Sequence, residues 1–270
     1  MDKSTFAGIL LAAGGIVAGL LLEGGNLGQI LQPTAAMIVF GGTLGAILIQ
    51  FPLPVVITSF KDLAKVFFEQ GQQSQALIAQ LIQFANKARK QGIVSLDSDI
   101  ASIEEPFLKK ALMLAVDGTE PEQLRKMMEL ELDNQSEEEE RIPLVFESAG
   151  GFSPTIGIIG AVMGLIQVMQ HMDKIEEVGR GIAVAFVATI YGVGAANLFL
   201  LPAAGKLKIR IRRSQILREM TLEGVISILE GMNPRMLEMK LVGFLGEDEQ
   251  PREEPAKQPA KQPVKEFATK

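Results

Sequence analysis

The chain has no cysteine and a single histidine, His171. Its capacity for chemistry therefore rests on carboxylates, ammonium and guanidinium groups, and hydroxyls. Disulfide frameworks, thiolate nucleophiles and cysteine metal sites are excluded. The usual zinc, haem and Ser-His arrangements lose their commonest ligand or base. An enzyme reading is unsupported, and neither a metal nor a cofactor is expected. The densest carboxylate run, Glu137 to Glu140, reads as a solvated helical face, with a cation-binding patch as the alternative. A second charged constellation sets Lys87, Arg89 and Lys90 before Gly92, and Asp97, Asp99, Glu104 and Glu105 after it. Spacing alone favours helix-end electrostatics, with basic residues closing one helix and acidic ones opening the next. A net charge of -6 without a basic, aromatic-interleaved stripe argues against nucleic acid as a partner.

The elements that position these groups follow from the hydropathy. Of the 270 residues, 47% are hydrophobic and only 21% charged, too apolar a balance for ordinary soluble domains. Four uncharged runs, 6–22, 34–57, 148–170 and 181–205, each hold at least 17 residues, against about 17 to 25 for a membrane-spanning helix. Pro52 and Pro54 mark the end of the second run. The first could be a signal peptide, but no small-x-small cleavage pattern follows it, so it is read as a span. The expected fold class is all-α: a polytopic membrane protein with four transmembrane helices and a helical cytoplasmic domain.

Lysine and arginine placement sets the orientation. Residues 23–32 carry no basic residue, whereas Lys206, Lys208, Arg210, Arg212 and Arg213 follow the fourth run. That exit is expected in the cytoplasm, together with both termini and the insert. Lys174 and Arg180 in the second outer linker dissent mildly. The organisation read from this is transmembrane helices 1 and 2 over 1–57 and a cytoplasmic helical domain over 58–147. Transmembrane helices 3 and 4 cover 148–205, and a cytoplasmic helical extension covers 206–246. The tail, 247–270, is rich in Pro, Lys, Gln and Glu and expected to be disordered. Within the insert, apolar residues from Ala76 to Ala88 recur at helical spacing and stop at Gly92. Thr119 and Glu122, with Pro121 between them, read as a capping box opening the next helix. A short amphipathic helix is expected over 235–245.

Ion-translocating proteins place ionisable groups inside the membrane, yet the four runs contain no Asp, Glu, Lys or Arg. Their polar groups include Thr34, Thr43, Thr155, Thr189, Tyr191 and Asn197, which can hydrogen-bond or coordinate but do not carry a proton at physiological pH. A conducting protein of this sequence needs its titrating carboxylate from another polypeptide. Small residues recur at intervals of three and four, as in Gly8, Ala12, Gly15 and Gly19, in Gly157, Gly160, Ala161 and Gly164, and in Ala185, Ala188, Gly192 and Ala195. Such rows let helix backbones approach closely. Packing within one chain explains part of the pattern, and contacts to other chains are expected as well. Pro154 and Pro202 lie near the insert side of spans three and four, where a kink would couple them to the insert. The alternatives are a helix start for Pro154 and simple tolerance for Pro202.

Three segments carry a resemblance: KARKQGIVSLDSDI (87–100), AGGFSPTIGIIGAVMGLIQVM (149–169) and GIAVAFVATIYGVGAANLFLLP (181–202). They resemble the A subunit of the bacterial flagellar stator, the MotA/PomA family within the MotA/TolQ/ExbB superfamily. Spans three and four are most similar to its MotC-type members. The resemblance covers about residues 1–245. It implies a ring of A subunits in the inner membrane around a MotB-like single-span subunit, whose membrane carboxylate binds the permeating ion. It further implies that ion flow drives torque on the rotor protein FliG. Carried over by position, Arg89 and Asp97 match the rotor-contact residues, with Asp97 one methylene shorter than the family's usual Glu. Pro154 and Pro202 match the prolines of torque coupling, and Thr189 matches the pore-facing Thr. Ala161 stands where sodium-driven members have Thr, which implies protons. Contact with membrane lipid is expected for all four spans. Two alternatives remain: a TolQ/ExbB-type energiser of a periplasm-spanning partner, for which three spans would be expected, and a membrane scaffold without ion flow.

Overall fold

The structure, a computed structural model, describes residues 3–68 and 74–245. Its described residues form helices and turns, with no strand among them. The tail expected over 247–270 lies outside the described residues. Helix α1 (Lys3–Leu22) is followed by a linker and by α2 (Pro33–Ala36), which passes through a π-helical turn at Met37–Gly41 into α3 (Gly42–Gln50). Pro52 ends that element, because it has no N–H to continue the ladder. α4 (Leu53–Phe68) then leads into the insert, which contains α5 (Ser74–Gln91), the short α6 (Asp97–Ile100) and α7 (Pro106–Val116).

Two very long helices follow. α8 (Pro121–Gln170) has 50 residues, a length of about 75 Å. A bilayer core is only about 30 Å thick, so much of α8 must stand outside it. α9 (Ile175–Ala195) runs through a π-helical turn, Ala196–Leu200, into α10 (Leu201–Leu229). α11 (Pro234–Val242) closes the described chain. Four stretches are long and apolar enough to cross a membrane, lying in Ser4–Leu22, Pro33–Gln50, Pro121–Gln170 and Ile175–Leu229.

Local chemistry sets the ends of these elements. α5 stops where Gly92 takes φ +84°, a left-handed conformation that glycine alone adopts without a Cβ penalty. At α7 the Glu105 carboxylate accepts hydrogen bonds from the Phe107 and Leu108 amides, and Pro106 occupies the first turn. The expected capping box at Thr119 does not form. The N-cap of α8 is Glu120, and no side chain bonds the free amides there. Pro121 already removes one of those donors, so the start needs less capping.

The main core joins the insert to the segment after the fourth span. Leu81 and Phe84 of α5, Leu108 and Leu112 of α7, Leu124 and Met128 of α8, and Met220, Val225 and Ile226 of α10 belong to one buried cluster, with Leu237 and Leu241 of α11. Each such side chain contributes about 1.5–3 kcal/mol on burial. Gly224 admits this packing, since a Cβ there would stand 2.8 Å from Leu81 Cδ1.

Candidate functional site

In the membrane segments, α8 and α9 approach backbone to backbone. A Cβ built on Gly192 would stand 2.6 Å from the Ser153 carbonyl oxygen, and one on Gly164 would stand 2.7 Å from the Gly181 carbonyl oxygen. One on Gly157 would stand 2.9 Å from the Ala188 carbonyl oxygen. This is the close approach that small-residue rows permit in lipid, where no hydrophobic drive brings helices together. The rows on α8 and α9 are thus used within the chain. The row on α1 is not: a Cβ on Gly8, Gly15 or Gly19 would meet nothing within 4 Å.

Thr189 lies on this seam. Its Cα would be 3.5 Å from a Cβ on Gly157, and its half-buried hydroxyl donates to the Ala185 carbonyl at 3.2 Å. Ala161 is the half-buried neighbour of Gly160, whose own Cβ would meet Ala188 at 2.8 Å. Both ion-pathway candidates therefore belong to one helix pair. Pro154 is interior to α8 rather than at its start, and its Cα would be 3.2 Å from a Cβ on Gly192.

Pro202 is exposed and follows the Ala196–Leu200 turn, in which the Leu201 amide reaches back to the Ala196 carbonyl. A proline ring crowds the carbonyl four residues earlier and offers it no hydrogen bond. A widened π turn is one way a helix accommodates that defect. The two prolines are on facing helices at neighbouring levels: Gly150, one turn from Pro154, packs so closely on Leu201 that its Cβ would stand 2.6 Å from Leu201 Cδ2.

Outside the membrane segments, polar contacts replace glycine contacts along the same pair of helices. Glu147 pairs with Lys208 at 2.6 Å, Ser136 bonds Gln215, and Glu139 bonds Arg218 through both oxygens at 2.6 and 3.0 Å. Glu223 bonds Arg125 and, at 2.7 Å, Lys240 of α11. The Arg125 hydrogen bond holds the Glu223 carboxyl below the usual carboxylate range, assisted by Lys240. The same bond to Glu223 raises Arg125. The acidic run is therefore only partly a solvated face: Glu137, Glu138 and Glu140 are exposed, while Glu139 is half-buried against Arg218.

The rotor-contact candidates lie far along the chain from the membrane spans. Arg89, in the last turn of α5, and Asp97, in the first turn of α6, are both exposed. Neither side chain makes a hydrogen bond or ion pair among the described residues. The pair that does form across the Gly92 break is Lys87 with Asp99, at 2.7 Å. The Lys87–Asp99 pair thus spans the break between Arg89 and Asp97.

Two features escaped the sequence reading. Tyr191 donates to the Ile30 carbonyl at 2.6 Å and accepts from the Gln32 amide at 3.3 Å. It therefore clasps the linker between the first two spans onto α9, and it stacks on Phe40 with ring centroids 5.9 Å apart. Ser153, beside Pro154, is buried with an unpartnered hydroxyl, as is Thr43. The presence of a lone tyrosine in an uncharged run was a readable signal; its partners, about 160 positions away, were not. His171 follows the last residue of α8, with Nδ1 3.1 Å from the Gln167 carbonyl and Nε2 3.3 Å from Glu177.

Comparison with known proteins extends this picture. Residues 99–220 match the model of the MotA/TolQ/ExbB proton channel family, and residues 6–92 match that of the Motility protein A N-terminal region. Motility protein A of Bacillus subtilis is 36% identical over 247 residues, 91% of each chain. The C. jejuni MotAB structure superposes with a TM-score of 0.87 at 34% identity, covering 92% of this chain and 97% of that one. The Bacillus subtilis flagellar MotAB stator complex gives 0.83 at 35% identity, covering 92% and 98%. With four membrane-length helices, a glycine-packed helix pair, two family models matched in succession along the chain and a relative 36% identical over 91% of it, the chain belongs to the MotA/TolQ/ExbB proton channel family.

Proposed function

We propose that this chain is the A-type subunit of a flagellar stator. Copies of it form a ring in the inner membrane around a MotB-like single-span subunit, and together they conduct protons and drive the rotor protein FliG. The observation that carries the reading is the absence of Asp, Glu, Lys and Arg from residues 6–22, 34–57, 148–170 and 181–205. A conduit walled by these helices requires an ion-binding acid from a second polypeptide. The match of residues 6–92 to the Motility protein A N-terminal model supports a stator over a TolQ/ExbB-type energiser. The basic exit from Lys206 to Arg213 supports a cytoplasmic placement of the insert and both termini. In that orientation 58–147 and 206–246 form the cytoplasmic body, while Pro154 and Pro202 stand between it and the membrane helices. Thr189 and Ala161 line the ion path, and the methyl group of Ala161 offers no oxygen to a dehydrated sodium ion.

Proton uptake into vesicles holding the chain with a single-span partner tests this reading. Uptake should require the partner's membrane Asp and be insensitive to removal of sodium. Uptake that survives loss of that Asp would overturn the channel, and sodium dependence would overturn the choice of ion. For the rotor face, Arg89→Glu and Asp97→Lys should each impair motility with assembly intact, and opposite reversals on FliG should restore it in part. Exposed pairs are individually worth about 0–1 kcal/mol, which suits contacts that form and release at each step. Full motility of both single reversals would remove Arg89 and Asp97 from the interface.

A further inference from the structure

Leu245, the last described residue, is buried at 7% exposure and closes one side of a cleft of about 200 Å³. Phe244 lies beside it in that wall, Ser74 of α5 borders it, and α10 supplies Ile209, Arg212 and Ile216. Two of these side chains would gain from a cover. Ile209 is 73% exposed although it stands between the cations Lys208 and Arg210. Arg212 is exposed and makes no hydrogen bond or ion pair among the described residues. Glu140 borders it across a second cleft, yet the two form no pair among the described residues.

The chain itself carries a matching acid. Gly246 is followed by Glu247, Asp248 and Glu249, three carboxylates directly after the residue that forms the wall. A compact space of this volume is roughly 6 Å across, within the reach of about 7 Å that two extended residues allow, so Glu247 can already cross it. A short tether holds a segment at millimolar effective concentration, which favours these acids over a free anion. The other chain segment that enters at the cleft, 69–73 leading into Ser74, offers a single acid, Glu69, five positions away. We propose that residues 246–251 dock back on their own chain, with the carboxylates of Glu247 to Glu249 on Arg212 and the ring of Pro251 over Ile209. Docking ties the end of α11 to α10 and neutralises part of the basic exit. It depends on neither the stator reading nor the orientation.

The chain has no native cysteine, so an Ile209→Cys variant of the full chain in detergent reports the cover by its rate of reaction with a thiol reagent. The upper value for an exposed ion pair corresponds to roughly fivefold in an equilibrium. Arg212→Glu should therefore speed labelling about fivefold, and ending the chain at Leu245 should speed it at least as much. Arg212→Lys should keep the slow rate. Adding Glu247→Arg and Glu249→Arg to Arg212→Glu should restore it, an exchange that a general loss of folding could not produce. Equal rates with and without the tail would overturn the proposal, as would slow labelling that survives Arg212→Glu. Labelling of the full chain that slows only when phosphatidylglycerol is added would assign the cover to lipid and overturn it too. A second measurement needs no shortened chain: Ile209→Cys combined with Gln250→Cys should form a disulfide within one chain, about fivefold more slowly once Arg212→Glu is added. A disulfide joining two copies instead would put a neighbour's tail in the cleft and overturn docking on the same chain.

Discussion

The same pair of helices is held together in two different ways along its length. In the membrane segments α8 and α9 touch through backbone atoms, with Gly157, Gly164, Gly181 and Gly192 leaving no room for a Cβ. Beyond the membrane, α8 and α10 share buried apolar clusters, Leu124 and Met128 with Met220 and Ile226 and Phe146 with Leu207, and are further joined by Glu147–Lys208, Glu139–Arg218 and Glu223–Arg125. The difference follows from solvent. Lipid offers no hydrophobic gain for helix association, so close van der Waals approach must provide it. In water, apolar burial supplies that drive, and charged side chains add pairs whose gain is limited by exposure and screening. An added Cβ on the membrane seam should therefore cost more than the loss of a single pair on the aqueous one.

Substitution on the two seams should separate them most sharply. Gly192→Val drives two methyl groups into the Ser153 carbonyl region and should cost about 3 kcal/mol through overpacking, read as a fall in the unfolding midpoint in detergent. The control is Gly15→Val on α1, where nothing lies within 4 Å; it should stay within about 0.5 kcal/mol. Equal losses at both positions would show that α1 packs as tightly as the seam.

A smaller effect is expected at the aqueous seam. Glu223 is 20% exposed and Arg125 38% exposed, so Glu223→Gln should cost about 1 kcal/mol, allowing for that exposure. The sign with pH follows from the depressed carboxyl of Glu223. Its contribution is fully present above the unfolded carboxylate value of about 4.3, and it is lost as pH falls through the lower folded value. The unfolding midpoint of the unaltered chain should therefore drop on acidification below about pH 4, and the Gln variant should drop less. A pH profile unchanged by the substitution would detach Glu223 from the seam's stability.

The most local effect concerns the linker clasp. Tyr191→Phe removes the hydroxyl that bonds Ile30 and Gln32 and should cost about 1 kcal/mol. The readout is local: a cysteine placed by Leu31→Cys should react with a thiol reagent roughly fivefold faster. Unchanged reactivity would mean that the Phe40–Tyr191 stacking alone holds the linker.

Much of the helical layout was legible from the residues. The stop at Gly92, the break at Pro52 and the four apolar runs all rest on local rules that act within a few positions: a left-handed φ, a missing N–H, a run without charge. The capping box at Thr119 failed because Pro121 and Glu120 already open α8 without it. The acidic run was misjudged in part, since whether Glu139 faces water or Arg218 depends on a helix 79 positions away. Of the site candidates, Thr189 and Pro154 come together on one seam and Ala161 follows the seam residue Gly160, while Pro202 lies on the facing helix and borders α1.

The sequence by itself determined that four segments avoid charge, that no acid stands within them, and where prolines and glycines interrupt or thin the helices. Those properties belong to single residues and their near neighbours, and solvent acts on them directly. Only the tertiary structure decided which small-residue row is used, which carboxylates find partners, and that Tyr191 holds the first linker. Each of these depends on groups distant in sequence meeting at ångström range, where one added Cβ or one hydroxyl decides whether two helices fit.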